Sequence, residues 1–287
     1  MTEHPASELL AILDLDDLGE DRFRGFSPAS AGSHLYGGQV VAQALVAAAR
    51  TVPADRPAHS LHAYFVLAGD PGIPIDFAVE RVRDGRSFTT RRCEATQKGR
   101  VIFSLEASFQ LREPGLAHAA DMPETPAPES LPTIDALIER FQAFLPTPAE
   151  PWMKRASSLD MRVVSPETLL APHRGGQLIW FRVQEPLPDD EATHLALLAY
   201  LSDMTLLNTA LMVHGRNIFD PRIQVASLDH ALWFHQAPRV DDWLLYVQES
   251  PAASHARGLT FGRIYARDGR LLASSAQEGL IRLRTNL

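Results

Sequence analysis

The 287-residue chain carries one order of predicted elements twice, and this repeat limits its fold more than any other feature. Each half contains a long helical segment followed by several short segments of strand character. Turn pairs such as Asp84-Gly85 and Asp268-Gly269 separate these strands, and pairs of this type favour hairpins. The sequence therefore predicts two similar α+β units with antiparallel strands.

The predicted elements follow the same order in both halves. In the first half the helix covers residues 37–51, and the strands cover 59–67, 75–83, 87–97 and 101–111. In the second half the helix covers 193–214, and the strands cover 227–234, 243–249, 259–267 and 271–283. A helix wrapped by a curved antiparallel sheet buries one face of each element. Two such units in one chain predict an α+β tandem (double) hotdog fold.

A proline-rich segment separates the two halves. Residues 112–133 contain five prolines, a density typical of an extended linker. Residues 134–145 then show the pattern of a short amphipathic helix. We therefore predict an N-terminal hotdog domain at 1–112, a linker with a short helix at 113–150, and a C-terminal hotdog domain at 151–287.

The predicted helix at 193–214 contains one carboxylate, Asp203, in a stretch that is apolar around nearly its whole circumference. Such a helix is normally buried. A buried carboxylate is costly unless it is paired, protonated or used in chemistry. The structural alternative is that Ser202 or Asp203 caps a helix that begins near Met204, since both residue types favour that position.

The two copies differ at the polar positions of the repeat. Aligning Tyr36 with Tyr200, and the matching strands with each other, pairs Gln39 with Asp203, Ser60 with Ser227, and Ala107 with Gln277. The second copy therefore carries Asp, Ser and Gln where the first carries Gln, Ser and Ala. This asymmetry predicts that the second copy alone is equipped for chemistry.

Composition excludes several classes of protein. The net charge of −8 is not that of a nucleic-acid-binding protein. The one cysteine, Cys93, lies in a predicted strand, and we interpret it as a packed thiol in a reducing compartment. The chain begins without the basic and apolar regions of a signal peptide and has no clean apolar run long enough to span a bilayer. These features predict a cytoplasmic protein without membrane insertion.

Motifs of other enzyme classes are absent from the sequence. It contains no G-x-S-x-G elbow, H-E-x-x-H, paired-cysteine spacing, phosphate loop or dinucleotide fingerprint, so we predict neither a metal nor a cofactor. The neighbours Asp229 and His230 suggest a catalytic dyad. However, adjacent residues of a strand point to opposite faces, which also makes His230 and His235 a poor metal pair.

Several motifs in order resemble the acyl-CoA thioesterase II family, whose members are double hotdog proteins. The fragments include YGGQVVAQAL (36–45), HSLHAYFVLAGD (59–70), YLSDMTLL (200–207), ASLDHALWFH (226–235) and QEG (277–279). The resemblance implies hydrolysis of acyl-CoA to free fatty acid and CoA by an Asp, a Thr or Ser, and a Gln that hold a water. The motifs place these roles on Asp203, Ser227 and Gln277; the family more often has Thr at the middle position. It also implies a homo-oligomer, a dimer or tetramer of double hotdogs, and a place in fatty acid metabolism.

Alternatives remain open on the sequence alone. Asp203 can activate a water or attack the thioester itself to form an anhydride. Gly37-Gly38 can bring backbone N–H groups close to an oxyanion or can simply allow tight helix packing. A hotdog hydratase or dehydratase would need a histidine beside the carboxylate, and none lies near Asp203 in sequence on its face. A non-catalytic acyl-CoA binding protein would gain nothing from a desolvated carboxylate.

Overall fold

A computed structural model describes residues 5–28, 34–141, 156–169, 172–173 and 176–284. Its strands form one antiparallel sheet that runs through both halves of the chain. Within these residues no helix combines the length and the apolar character that crossing a membrane requires.

The first half contains two helices and six strands in the described residues. They are α1 (Pro5–Leu13), β1 (Asp16–Gly19), β2 (Arg22–Gly25), α2 (Gly37–Ala49), β3 (Ala58–Phe65), β4 (Ile75–Asp84), β5 (Phe88–Gln97) and β6 (Arg100–Gln110). The predicted helix and four strands match α2 and β3 to β6, with small differences at their ends. Lys98 and Gly99 both have positive φ, which a two-residue hairpin turn of the primed type requires.

The linker and the second half follow. The linker contains a 3₁₀ turn (Pro128–Ser130) and α3 (Ile134–Phe141). The second half contains β7 (Leu159–Val163), a 3₁₀ turn (Pro166–Leu169), β8 (Gln177–Val183), α4 (Glu191–Ser202), α5 (Asn208–Met212), β9 (Ile223–Ser227), β10 (Asp229–Phe234), β11 (Leu244–Ser254), β12 (Arg257–Ala266) and β13 (Leu271–Leu283). The predicted helix 134–145 corresponds to α3, and its residues 142–145 lie outside the described part of the chain.

The strand order shows how the two copies are joined. It is β1-β2-β4-β5-β6-β3-β10-β13-β12-β11-β8-β7, with β9 also paired to β13. Read outwards from the centre, each copy has its strands in an equivalent order. The central pair is β3 with β10, in register from Ser60–Trp233 to Tyr64–Asp229. Backbone hydrogen bonds therefore join the two copies into one sheet.

The helices cover one face of this sheet and pack against each other. α2 lies on β4, β5 and β6 and against α4, while α5 lies on β11 and β12. The residues of α4 from His194 to Ser202 are all buried, as its apolar circumference predicts. The main core therefore lies between the helices and the inner face of the sheet.

The prediction of one continuous helix over 193–214 is wrong. α4 ends at Ser202, Asp203 is its C-terminal capping residue, and a short non-helical turn leads to α5. The capping interpretation is wrong as well, since no helix begins near Met204. The side chain that caps α4 belongs to Asp190, which accepts a hydrogen bond from Thr193 N at 3.0 Å. An apolar pattern does not reveal such a break because both sides of it are buried.

The sequence prediction also missed five short strands: β1, β2, β7, β8 and β9. β1 is exposed throughout and lacks an alternating pattern. The predicted strand 227–234 corresponds to β10, and its first residue, Ser227, is the last residue of β9. The linker is partly packed, because Trp180 in β8 donates a hydrogen bond to the carbonyl of Pro126 at 3.1 Å. The domain boundaries at 112 and 150 remain predictions.

Candidate active site

Asp203, Ser227 and Gln277 meet at one point, although they lie in three separate elements. The Ser227 hydroxyl donates a hydrogen bond to Oδ1 of Asp203 at 3.1 Å. The Gln277 amide nitrogen donates to the same oxygen at 2.6 Å and to Oγ of Ser227 at 2.7 Å. One carboxylate oxygen thus receives two donors, an arrangement that stabilises the charged form of the carboxylate.

The ends of three elements bring these side chains together. Asp203 follows the last residue of α4, Ser227 is the last residue of β9, and Gln277 lies on the inner face of β13. β9 pairs with β13 through Ser227 and Gly279, which brings the serine beside the glutamine. Gln277 is completely buried. The structure therefore brings together all three residues that the sequence singled out.

Gly279 allows the turn after Asp203 to approach the sheet. A Cβ atom at this position would lie 2.4 Å from both terminal carbons of Leu207, a distance that real Cβ atoms do not tolerate. Leu207 is buried directly before α5. Because Gly279 has no side chain, the turn after Asp203 can lie close to β13, the strand that carries Gln277.

The N-terminus of α2 faces Asp203 from the other copy. A Cβ atom on Gly37 would stand 2.8 Å from Oδ2 of Asp203, so the backbone of α2 begins beside the carboxylate. Tyr36 precedes the helix without a side-chain cap and donates a hydrogen bond from its hydroxyl to the carbonyl of Tyr200 at 2.7 Å. The first N–H groups of a helix lack intrahelical partners and carry a partial positive charge. This end of α2 can therefore bind a developing negative charge.

A cavity of about 540 Å³ opens beside Asp203 and Ser227. The first copy contributes Tyr36, Gly37, Val40, Phe65, Leu67 and Phe103 to its walls. The second copy contributes Met204, Leu207, Asn208 and Ile218 as well as the two polar residues. Most of these side chains are apolar, so the cavity suits an apolar ligand whose polar end reaches Asp203.

A buried polar group lies directly behind the three residues. His230 in β10 contacts Oγ of Ser202 through Nε2 at 2.8 Å, and the Ser202 hydroxyl also lies 2.9 Å from the carbonyl of Ala199. Tyr246 donates a hydrogen bond to the Ser202 carbonyl at 2.9 Å. Burial lowers the pKa of His230 to about 4, against a smaller upward effect of Gln277, and burial raises the pKa of Tyr246. Both groups are therefore neutral at physiological pH.

Asp229 and His230 do not form a dyad. His230 is buried on the inner face of the sheet, whereas Asp229 accepts a hydrogen bond from the backbone of Glu278 at 2.7 Å. His235 contacts Ser274 instead of His230. In the described part of the chain, no cluster of three or more His, Cys, Asp or Glu is placed to hold a metal ion.

Sequence reasoning missed several residues of this site. It gave no role to Gly279, considered Ser202 only as a helix cap, and dismissed His230 together with the dyad. The signal for His230 was present, because a histidine at an inward-facing strand position is an unusual buried polar group. Ser202 and Gly279 act through contacts between distant elements, which a single sequence does not reveal.

Comparison with known proteins identifies the family. Residues 155–280 match the Acyl-CoA thioesterase family, and residues 27–110 match the family Acyl-CoA thioesterase N-terminal domain. Mouse acyl-coenzyme A thioesterase 8 is 41% identical over 288 residues, which cover 96% of this chain and 88% of that protein. The chain belongs to the acyl-CoA thioesterase family.

Solved structures agree with this assignment. The acyl-CoA thioesterase II TesB2 from Mycobacterium marinum is 42% identical, with a TM-score of 0.80 over 97% of this chain and 100% of that one. A hot dog fold protein from Alicyclobacillus acidocaldarius, 22% identical, has a TM-score of 0.77 over 96% of this chain and 98% of that one. The α+β tandem hotdog prediction is confirmed, and this acyl-CoA thioesterase family member is a thioester hydrolase.

Proposed function

We propose that this enzyme hydrolyses fatty acyl-CoA to free fatty acid and CoA, with Asp203 as the base that activates a water. The observation that carries the proposal is the double hydrogen bond on Oδ1 of Asp203, from Ser227 and Gln277, at the edge of an apolar cavity. A water, the carboxylate and a thioester carbonyl can meet at that edge. The substrates named for the relatives agree with this reading.

The chemical step follows from the roles of these groups. A water held against Asp203 attacks the thioester carbonyl carbon, and its proton passes to the carboxylate. The carbonyl oxygen becomes an oxyanion, which the N–H groups at the start of α2 stabilise. The intermediate then collapses with cleavage of the C–S bond. The CoA sulfur leaves as a thiolate and takes the proton from Asp203, which restores the carboxylate.

Ser227 and Gln277 keep Asp203 charged and oriented through this cycle. Both side chains direct hydrogens at Oδ1, so neither competes with the carboxylate for a proton. A carboxylate left without donors in a dry site would become protonated and lose its function as a base. Serine supplies the same hydroxyl as the threonine that is more common at this position in the family.

The apolar cavity favours a substrate with an acyl chain. Its apolar walls come from both copies: from the start of α2, the end of β3 and the start of β6 in the first copy, and from residues such as Met204 and Val225 in the second. Burial of methylene groups contributes about 0.8 kcal/mol each, so a long chain binds well in such a site. Both copies thus contribute to the binding of the acyl chain, while the second carries the reactive groups.

Thiol release from acyl-CoAs of several chain lengths tests the proposal, with Asp203→Asn compared to the wild type. We expect loss of at least about a hundredfold in kcat, with the fold intact by circular dichroism. The matched control is Asp160→Asn, a carboxylate of β7 that is also largely buried and pairs with Arg162 outside the cavity. Activity retained in Asp203→Asn would move the active site elsewhere.

The same assay separates the alternatives. A change in enoyl absorbance without thiol release would favour a hydratase, and binding without turnover would favour an acyl-CoA binding protein. Single-turnover hydrolysis in ¹⁸O-water tests for an anhydride that opens at its aspartyl carbon. The water route places the label in the fatty acid, whereas an anhydride opened at its aspartyl carbon would leave the label in Asp203.

Two further properties are proposed from the sequence and the family resemblance. They are a cytoplasmic location and a homo-oligomer, either a dimer or a tetramer of double hotdogs. Light scattering of the purified enzyme measures the oligomer directly. A monomeric mass at micromolar concentration would contradict the second property.

A further inference from the structure

Two buried side chains face each other across β10 and β13 directly behind Asp203. Ala231 pairs with Ala276, so His230 and Gln277 come next on their strands. Both point to the inner face, and His230 is 1% and Gln277 0% exposed. Cross-strand neighbours on one face have Cβ atoms about 4.5–5.5 Å apart, which brings an imidazole ring to an amide group.

The amide nitrogen of Gln277 is fully used. Its two N–H groups bond to Oδ1 of Asp203 and Oγ of Ser227. Its oxygen, Oε1, is buried and makes no hydrogen bond within ordinary geometric limits. A buried acceptor without a donor is costly, so this oxygen requires one nearby.

One ring nitrogen of His230 likewise lacks a hydrogen-bond partner. Nε2 lies 2.8 Å from Oγ of Ser202, whereas Nδ1 is buried and also lacks a hydrogen bond within ordinary limits. Gln277 is nevertheless close enough to raise the pKa of His230 against the larger effect of burial. A neutral imidazole carries one hydrogen, on either Nδ1 or Nε2. The position of this hydrogen determines whether Nδ1 of His230 can donate to Oε1 of Gln277.

We propose that His230 is a positioning residue that carries its hydrogen on Nδ1 and directs it at Oε1 of Gln277. This contact holds the amide with its nitrogen toward Asp203 and Ser227. The inference rests on the proposed function of those two residues. It assigns the orientation of the Gln277 amide to a buried histidine that does not touch the substrate.

The opposite tautomer, in which Nε2 donates to Ser202 and Ser202 donates to the Ala199 carbonyl, leaves Oε1 of Gln277 without a donor. With the hydrogen on Nε2, the lone pair of Nδ1 would face the lone pairs of Oε1 at a buried position. Rotating the amide of Gln277 would relieve that repulsion but would turn Oε1 toward the carboxylate of Asp203. With the hydrogen on Nδ1, the Ser202 hydroxyl turns from the Ala199 carbonyl, 2.9 Å away, to donate to Nε2, and Oε1 of Gln277 gains the donor that it lacks.

Nitrogen NMR tests the tautomer in the wild-type enzyme. The enzyme is labelled with ¹⁵N-histidine, and the ring signals absent from His230→Asn are assigned to His230. We expect a hydrogen on Nδ1 and none on Nε2 at neutral pH. A hydrogen on Nε2 would overturn the proposal. This readout does not depend on turnover, so it stays informative even if Asp203→Asn shows that the chemistry lies elsewhere.

Kinetics test the consequence for catalysis. His230→Leu removes the donor, whereas His230→Asn keeps an N–H group near the position of Nδ1. We expect kcat for acyl-CoA hydrolysis to fall about tenfold to a hundredfold in His230→Leu, with KM within about twofold of the wild type. His230→Asn should recover most of the lost kcat.

Two outcomes would contradict the positioning role. One is wild-type kcat in His230→Leu. The other is an equal fall in both variants, because a purely structural defect would not distinguish a donor from a methyl group. Thermal unfolding of both variants shows whether each is folded at the assay temperature. If His230→Leu does not fold, His230→Asn and the wild-type tautomer still decide the question.

Discussion

Gly37 lies against Asp203, so close that a Cβ atom on the glycine would stand 2.8 Å from the carboxylate oxygen Oδ2. The two residues belong to different copies of the repeat. The backbone at the start of α2 therefore borders the proposed base of the other copy, and the candidate site lies where the two copies meet.

Gly37→Ala should lower kcat by about tenfold or more, because the added methyl group displaces Asp203 or Phe65 and a small misplacement of a reactive group is costly. Steady-state hydrolysis of one acyl-CoA measures the effect. The control is Gly115→Ala in the linker, where a Cβ atom meets nothing within 4 Å. Equal activity of the two variants would show that the carboxylate does not depend on this contact.

Ser227→Ala and Ser227→Thr should differ in their effect on kcat. Alanine removes the hydroxyl that bonds to both Asp203 and Gln277, so we expect kcat to fall about tenfold to a hundredfold. Threonine keeps the hydroxyl and restricts χ1, so kcat should equal or exceed that of the wild type. Ser254→Ala, at an exposed position, serves as the control. The hydroxyl would have no role if the alanine variant kept full activity.

Gly279→Ala should destabilise the enzyme by about 1–3 kcal/mol, since the new methyl group overlaps Leu207. Denaturant unfolding measures the change in free energy. The double variant Gly279→Ala with Leu207→Ala should lose less stability than the sum of the two single changes, because the smaller side chain makes room. Additive losses would mean that the two residues do not constrain each other.

His230 should make stability depend on pH. Burial lowers its pKa from 6.5 to about 4. Between these values the unfolded chain takes up a proton that the folded enzyme does not, so the free energy of unfolding falls as the pH drops from about 6.5 to about 4. The contribution is about 3 kcal/mol over this window.

His230→Asn removes this titration. Its free energy of unfolding should therefore decrease less between pH 7 and pH 4 than that of the wild type. His118→Asn, at an exposed position, should keep the wild-type dependence. Identical pH profiles for His230→Asn and the wild type would show that the buried imidazole is not the cause.

The sequence predicted the parts of the fold that repeat a simple pattern. Alternation of apolar residues located β3 to β6 and β11 to β13, and it placed Asp229 and His230 on opposite faces. The break after Ser202 escaped this reasoning because both flanking helices are buried. β1 escaped it because all four of its residues are exposed.

The candidate site was predicted to a similar extent. Comparison of the two copies drew attention to Asp203 and Gln277, the family resemblance implied roles for Asp203, Ser227 and Gln277, and the structure brings these three together. The proximity of Gly37 to Asp203 is a contact between distant segments, for which local patterns carry no signal. The same is true of Leu207 and Gly279, where a missing Cβ atom matters only because a particular leucine lies above it.

Both copies line the cavity, whereas the three proposed catalytic side chains come from the second copy alone. Such a division lets mutation in the first copy alter the shape of the cavity without changing the three side chains that we propose to cleave the thioester. Selectivity and reactivity can then evolve on separate stretches of one gene.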